Sequence, residues 1–358
     1  MTTNIFAFVI VLGVLIFFHE LGHFLTARML GVGVLKFSLG FGPRLFGKKI
    51  GITDYCISAV PLGGFVKMVG EEPDAEIDPA DIPISFTHKN VFQRILIVAA
   101  GPFFNLILAL IIFYLFFQFS GVFILKPVIG EVEKGSPAQI AGLKKDDTIA
   151  AIDGIEIVSW NEMSEIISSS KERNIAFSVV RGESLLEIKI KPRMQIVKDI
   201  FGEDKKRSLI GIKASGDYFI KELNPVQAFS ESIIQTYSIT KLTVVSIVKI
   251  IQGTISTKTL GGPIMIAELA GQQAREGAAN LAFFIALLSI NLAILNILPI
   301  PVLDGGHILF FFIEAVTRRP INTKVREIAQ QAGIFLLILL MIVVFYNDIT
   351  RLFFNQSN

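Results

Sequence analysis

IFAFVIVLGVLIFFHELGHFL, Ile5 to Leu25, is the stretch whose reading decides the fold. It is close to the ~20 apolar residues a helix needs to cross the hydrocarbon of a bilayer. Ionisable side chains at that depth are expensive and are kept where they have a use. Here His19, Glu20 and His23 fall within five positions. At ~100° per residue, residues four apart share a helix face, so two imidazoles sit one turn apart with a carboxylate beside them. This is the H-E-x-x-H pattern, with two histidines for Zn²⁺ and a glutamate placed to take a proton from water. Two histidines satisfied by hydrogen bonds inside a helix bundle would give the same spacing. A carboxylate buried with them, however, calls for a cation.

The composition fits that reading. The chain has 358 residues, of which 52% are hydrophobic and 18% charged, and a mean hydropathy of +0.62. That is too apolar for an ordinary soluble protein. A net charge of +2 gives no reason to expect nucleic acid as a partner. A lone cysteine, Cys56, excludes an intramolecular disulfide and a multi-cysteine zinc site. Four histidines, at 19, 23, 88 and 307, keep the search for ligands short. The first apolar segment lacks a basic flank and an A-x-A-like cleavage site, so it is read as retained and not as a signal peptide.

Further spans are expected at Val91–Phe119, at Leu281–Val302 and, after Ala332, around Phe335–Phe345. Val226–Gln252 is helical in pattern but carries Glu231, Gln235, Lys241 and Lys249, and is read as an interfacial helix. Gly101-Pro102 and Asn105 interrupt the second span. Pro299 and Pro301 should end the third helix near Ile297, with Asn296, Asp304 and Gly305-Gly306 around the break. The segment from Thr26 to Asn90 contains no span. Its β-prone pieces on either side of Pro61 and Gly63-Gly64 predict a hairpin, and the acidic run Glu71–Asp81 a solvent loop.

Pro127–Met194 changes character to alternating strands with a polar helix. Gly135-Ser136-Pro137-Ala138, Ala141-Gly142-Leu143, Asp146-Asp147-Thr148-Ile149 and Ile152-Asp153-Gly154 resemble a PDZ domain, with Asp146-Asp147 where that family has Gly-Asp. Such domains bind extended peptides by strand addition, and the resemblance puts Ile129 and Gly130 near the groove.

Basic residues set the orientation: Arg28, Lys36, Lys89 and Arg94 in one loop, and Arg318, Arg319, Lys324 and Arg326 in another, would face the cytoplasm. The N-terminus, the C-terminus and the PDZ-like domain would then lie outside. His19, His23 and the region of Asp304 and His307 would meet at one depth. A catalytic zinc needs one more protein ligand than the two histidines supply, and Asp304 and His307 are the candidates.

HELGH in the first span and NILPIPVLDGG (Asn296 to Gly306) in a later one, with a PDZ-like insertion between, resemble the site-2 protease family of intramembrane zinc metalloproteases. The likeness is to bacterial RseP-type members. It covers nearly the whole chain. It implies a single zinc held by His19, His23 and Asp304, with Glu20 as catalytic base and Asn296 near the substrate or the oxyanion. It also implies that Gly64, Phe65, Val66 and Lys67 form a strand that binds the unwound substrate. The departure is one PDZ-like domain where well-known members have two.

The expected fold is a polytopic α-helical membrane protein of about four spans, with a membrane-associated β-hairpin and an inserted α+β PDZ-like domain. The parts are a first membrane section (1–121), the PDZ-like domain (122–195), a linker with the interfacial helix (196–262) and a second membrane section (263–358). The expected activity is zinc-dependent hydrolysis within transmembrane segments, as in regulated intramembrane proteolysis, in a bacterial inner membrane. Its partners would be transmembrane substrates, an extended peptide at the PDZ-like groove and the lipid bilayer. A metal transporter and an inactive PDZ-bearing scaffold are the rivals, and Glu20 speaks against both.

Overall fold

The computed structural model describes residues 2–71 and 77–354, so residues 72–76 of the predicted acidic loop lie outside the described residues. The chain forms two compact units. One comprises the chain up to Phe116, Ser230–Val248 and the chain from Ser256 onward; the other comprises Phe117–Phe229 with Lys249–Ile255.

The first unit is mainly helical. Helix α1 (Thr2–Met29) carries no Asp, Glu, Lys or Arg before Glu20, as a membrane-crossing helix should. After it come two long strands, β1 (Val34–Ile50) and β2 (Thr53–Met68), then α2 (Val91–Ser120). The hairpin turns at Gly51-Ile52, not at Pro61–Gly64 as the sequence pattern predicts. Proline and paired glycines instead bend β2 in mid-run. The register shows the result: 44–50 pairs with 53–58, Lys36–Leu39 faces Asp54–Ile57 with both runs ascending, and Gly64–Met68 returns along Val34–Leu39. Two strands thus make four rungs. Phe37, Val66 and Met68 pack with Ala27 of α1, Ile97 of α2 and Phe311 in one core cluster.

The second unit is the inserted domain. It holds β3 (Val122–Leu125), β4 (Ile129–Val132), α3 (Pro137–Ile140), β5 (Thr148–Ile152), β6 (Ile155–Glu156) and α4 (Trp160–Ser169). These are followed by β7 (Ile175–Arg181), β8 (Ser184–Ile190), β9 (Arg193–Lys198), β10 (Asp204–Leu209), β11 (Ile212–Ala214) and β12 (Tyr218–Lys221). Helix α4 starts where a capping box forms, Ser159 and Glu162 each satisfying the other's backbone. Strands β6-β5-β7-β8 form one sheet, and β4–β11, β3–β12 and β9–β10 form pairs. Ile129, Ile149, Ile152, Met163, Ile175, Phe177 and Ile210 fill its core. The unit therefore runs past the expected limit at 195 to Phe229, because β11 and β12 supply partners for β4 and β3 and Ile210 fills the core. The first part of the expected linker is thus part of the β9–β10 hairpin.

The chain continues with α5 (Pro225–Ile251), α6 (Pro263–Glu276), α7 (Ala278–Ile297), α8 (Asp304–Thr317) and α9 (Thr323–Phe354). Among the described residues five helices, α1, α2, α5, α7 and α9, are long and apolar enough to cross a membrane, one more than the sequence reading counted. The addition is α5, whose polar residues had set it apart. α7 stops at Ile297, as Pro299 and Pro301 require. The amides that open α6 are capped from another helix: Asp348 of α9, itself buried, accepts from the backbone N–H of Gly262, Ile264 and Met265 at 2.9, 3.0 and 3.2 Å.

Candidate metal centre

The site is made where α1, α2, α7 and the start of α8 approach closely, and glycines permit the approach. A side chain at Gly22 would run into the carbonyl of Ala100, and one at Gly101 into the His23 and His19 rings. At the other end of the sequence, side chains at Gly305 and Gly306 would strike the carbonyls of Ile297 and Ile300. The first turn of α8 can therefore fold back on the Pro-x-Pro segment and carry Asp304 inward.

Three donors converge there. His19 Nε2 lies 3.2 Å from Asp304 Oδ2, His23 Nε2 lies 3.6 Å from Asp304 Oδ1, and the two Nε2 atoms are 3.3 Å apart. All lie within 4.8 Å of one another. Ligands held ~2.0–2.1 Å from a tetrahedral zinc stand about 3.3 Å apart, so the triangle has the size of one zinc face. His23 Nδ1 donates to the carbonyl of Ile97 at 2.9 Å, which leaves the lone pair on Nε2, aimed into the triangle. Asp304 Oδ2 is buried and has no hydrogen-bond partner. Three ligand atoms directed at one point, one of them a buried carboxylate oxygen without a partner, fit a cation.

The matching family model is Peptidase family M50, over residues 7–340. The chain belongs to peptidase family M50.

Full-length relatives agree with this M50 assignment. A predicted zinc metalloprotease of Campylobacter jejuni is 38% identical over 97% of this chain and 93% of its own. One from Mesorhizobium japonicum is 34% identical over 96% of this chain and 97% of its own. The regulator of sigma-W protease RasP of Bacillus subtilis is 33% identical over 98% of this chain and 99% of its own. The M50 protein is thus a zinc-dependent metalloendopeptidase of the site-2 type in a bacterial membrane, and His19, His23 and Asp304 are placed to hold the metal.

His307 stands apart. Its Nδ1 accepts from Arg326 Nη2 at 3.2 Å, and among the described residues it does not join the donor cluster. Asn296, at the end of α7, has Nδ2 3.4 Å from His19 Nε2 and so borders the metal position. Glu20 is partly buried on α1 beside the bend of β2, and a side chain at Gly64 would meet its Cγ. Phe65 stacks on Phe41 with 6.0 Å between ring centres, and Lys36 lies over it. Val66 is buried in the cluster under the hairpin, and Lys67 is exposed.

The geometry does not bring Ile129 and Gly130 to an open edge. Ile129 is wholly buried, and its N–H and carbonyl are bonded to Asp147 and Asp146. A side chain at Gly130 would meet Ala214 on β11. One edge of the strand that carries them is paired with the chain's own β11, which lies beyond the expected limit of the domain.

The structure adds a contact that pattern reading passed over, between a basic residue already noted and a glutamate that was not. Arg94 on α2 makes a two-pronged bond to Glu314 on α8, at 2.6 and 3.2 Å, and lies 4.8 Å over the Phe311 ring. This pair ties the helix bearing Asp304 to α2. Single charges far apart in sequence carry no local pattern, although Arg94 and Glu314 each stand in an apolar segment, which is the one signal available.

Proposed function

We propose that this M50 protease cleaves a transmembrane segment that it first draws out into an extended strand. The observation that carries this reading is the placement of Gly64 against Glu20, which sets a strand of the bent hairpin beside the metal donors. Gly64–Val66 pairs on one side with Phe37–Leu39. A substrate span is a helix with its amides already satisfied, and unwinding it in an apolar setting leaves them orphaned. Strand addition along Gly64, Phe65, Val66 and Lys67 replaces those bonds and holds the chain straight.

Zinc, when bound at His19, His23 and Asp304, polarises the scissile carbonyl and acidifies water. Glu20 takes the proton from that water and passes it to the leaving amine. Asn296, bordering the metal position, donates its amide to the oxygen that gains charge. The inserted domain, by its PDZ-like resemblance, screens substrates before they reach the metal centre. The name of the Bacillus relative ties that protein to the regulation of sigma-W; for this chain the substrates proposed are membrane proteins cut in regulated proteolysis, such as anti-sigma factors or remnants of signal peptides.

The topology proposed is the one that the basic loops imply. In it α1 and α7 run in one direction, His19 and His23 lying in the second half of α1 and Asn296 near the end of α7. α2 returns once between them, and α5 with α6 therefore adds no net crossing. α5 lies at the outer surface, the protein has four spans, and both termini and the inserted domain are outside in the inner membrane.

Glu20→Gln tests the reading because an amide cannot act as the base. A photo-crosslinking residue at position 65 in the zinc-loaded Glu20→Gln protein is expected to capture the substrate span. Cleavage is expected to fall by about 10² to 10⁴. Cleavage near the wild-type rate, or no adduct with bound substrate, overturns it.

A further inference from the structure

His19 can offer Nε2 to a metal only if its ring proton sits on Nδ1. His23 meets that need through the Ile97 carbonyl. For His19 the group facing Nδ1 is the carboxamide of Asn105, with Nδ2 3.4 Å away. An NH₂ in that place asks for a lone pair on Nδ1. The ring proton would then move to Nε2, into the middle of the three donors. Asn105 shows a second conflict: the residue is fully buried, yet Oδ1 has no hydrogen-bond partner. A buried acceptor left unpaired is costly.

Turning the carboxamide over resolves the first conflict and gives Oδ1 a donor. Its oxygen and nitrogen ends have the same shape, so the rotation moves no carbon and asks nothing of the packing. Oδ1 then faces Nδ1–H, and the His19 lone pair on Nε2 is fixed toward Asp304 and His23. The backbone at this point is held from a third helix: the buried Ser289 of α7 donates Oγ–H to the Asn105 carbonyl at 2.8 Å. Asn105 is thus clamped from α7 while it reaches toward α1. Pro102, three residues earlier, interrupts the regular ladder of α2 on the same stretch.

We propose that Asn105 is a positioning residue of the zinc site: its Oδ1 accepts the Nδ1 proton of His19, and Ser289 pins it in register. The inference rests on the metal assignment made above. Such partners fix the tautomer of a ligating histidine and raise its basicity, and their loss typically weakens metal binding by about 10- to 100-fold.

The test measures zinc dissociation constants of the full chain in detergent by competition with a chromophoric chelator. Asn105→Ala is expected to weaken zinc by about 10- to 100-fold. Asn105→Asp keeps an acceptor facing Nδ1 and is expected to bind at least as tightly as wild type. Wild-type affinity in Asn105→Ala overturns the proposal alone, as does equal weakening in both variants. Absence of zinc from the wild-type protein, or its retention in His23→Ala, overturns the metal assignment with it. Should Asn105→Ala fail to fold, ring-nitrogen chemical shifts of His19 in metal-free wild type decide the matter. A protonated Nδ1 supports the proposal, and a protonated Nε2 overturns it.

Discussion

The inserted domain and the metal centre treat buried charge in opposite ways. In the domain, Asp147 is the one carboxylate fully buried among the described residues. Arg181 meets it at 2.7 Å through both Nε and Nη2, and the Lys144 N–H at 2.8 Å. The protein itself completes that site. At the metal centre the donor atoms of His19, His23 and Asp304 converge on one point, and Asp304 Oδ2 remains unpartnered. That site is finished by something added. A fold that is merely stable resembles the first, and a fold kept for its chemistry tolerates the second.

Three changes probe this contrast. The largest effect is expected from Gly101→Ala, whose new methyl collides with the imidazoles. Overpacking of about 1–3 kcal/mol weakens zinc roughly 5- to 150-fold, measurable by chelator competition. Hydrogen exchange in β5 and β7 of the inserted domain should not change. Protection lost in both places would show that the two sites are not independent.

The second change is acid. Burial alone would raise the Asp147 pKa, but the Arg181 guanidinium and the Lys144 N–H outweigh it and hold the carboxyl below its usual range. A depressed pKa gives stability that is full above the unfolded value, near 3.9, and is lost as pH falls through the folded one. Exchange protection of β5 and β7 should be level above about pH 5 and fall below about pH 4. Asp147→Asn should remove that slope and cost about 1–2 kcal/mol, since Arg181 is partly exposed. An unchanged slope would place the acid-sensitive group elsewhere.

Smallest is Asp146→Gly. Asp146 has φ 68°, left-handed backbone that glycine adopts without strain. The substitution should stabilise the domain by about 0.5–1 kcal/mol, read as a shift in its denaturation midpoint. Destabilisation would mean that the Asp146 side chain does more than occupy a turn.

Much of this was legible in the chain. His19, Glu20 and His23 are one helical turn apart, so their meeting is local, and the stop at Ile297 follows from two prolines. The core strands of the inserted domain alternate plainly, and Asp146 marked its own departure from a glycine position. What stayed hidden depends on partners remote in sequence. Nothing near Ile129 announces that β11 will pair with its strand. Pro61 and Gly63-Gly64 are ordinary turn residues, and only packing against Ile16 and Glu20 makes them a bend within β2. The choice of Asp304 over His307 was open to residue reading because both follow the same break. The Arg326 contact with His307 is what separates them.

The separation of the ligands also has a consequence in time. His19 and His23 leave the ribosome among the first residues, and Asp304 emerges only in the last part of the chain. At ~5–20 residues per second the interval is on the order of 15–60 s. Throughout it the nascent protein sits in a membrane crowded with other half-inserted helices, carrying two imidazoles that lack their third partner. The protease is therefore born without its activity and gains it only when α8 arrives. Its own spans and those of its neighbours have by then had time to pack into helices whose amides offer nothing to an edge strand.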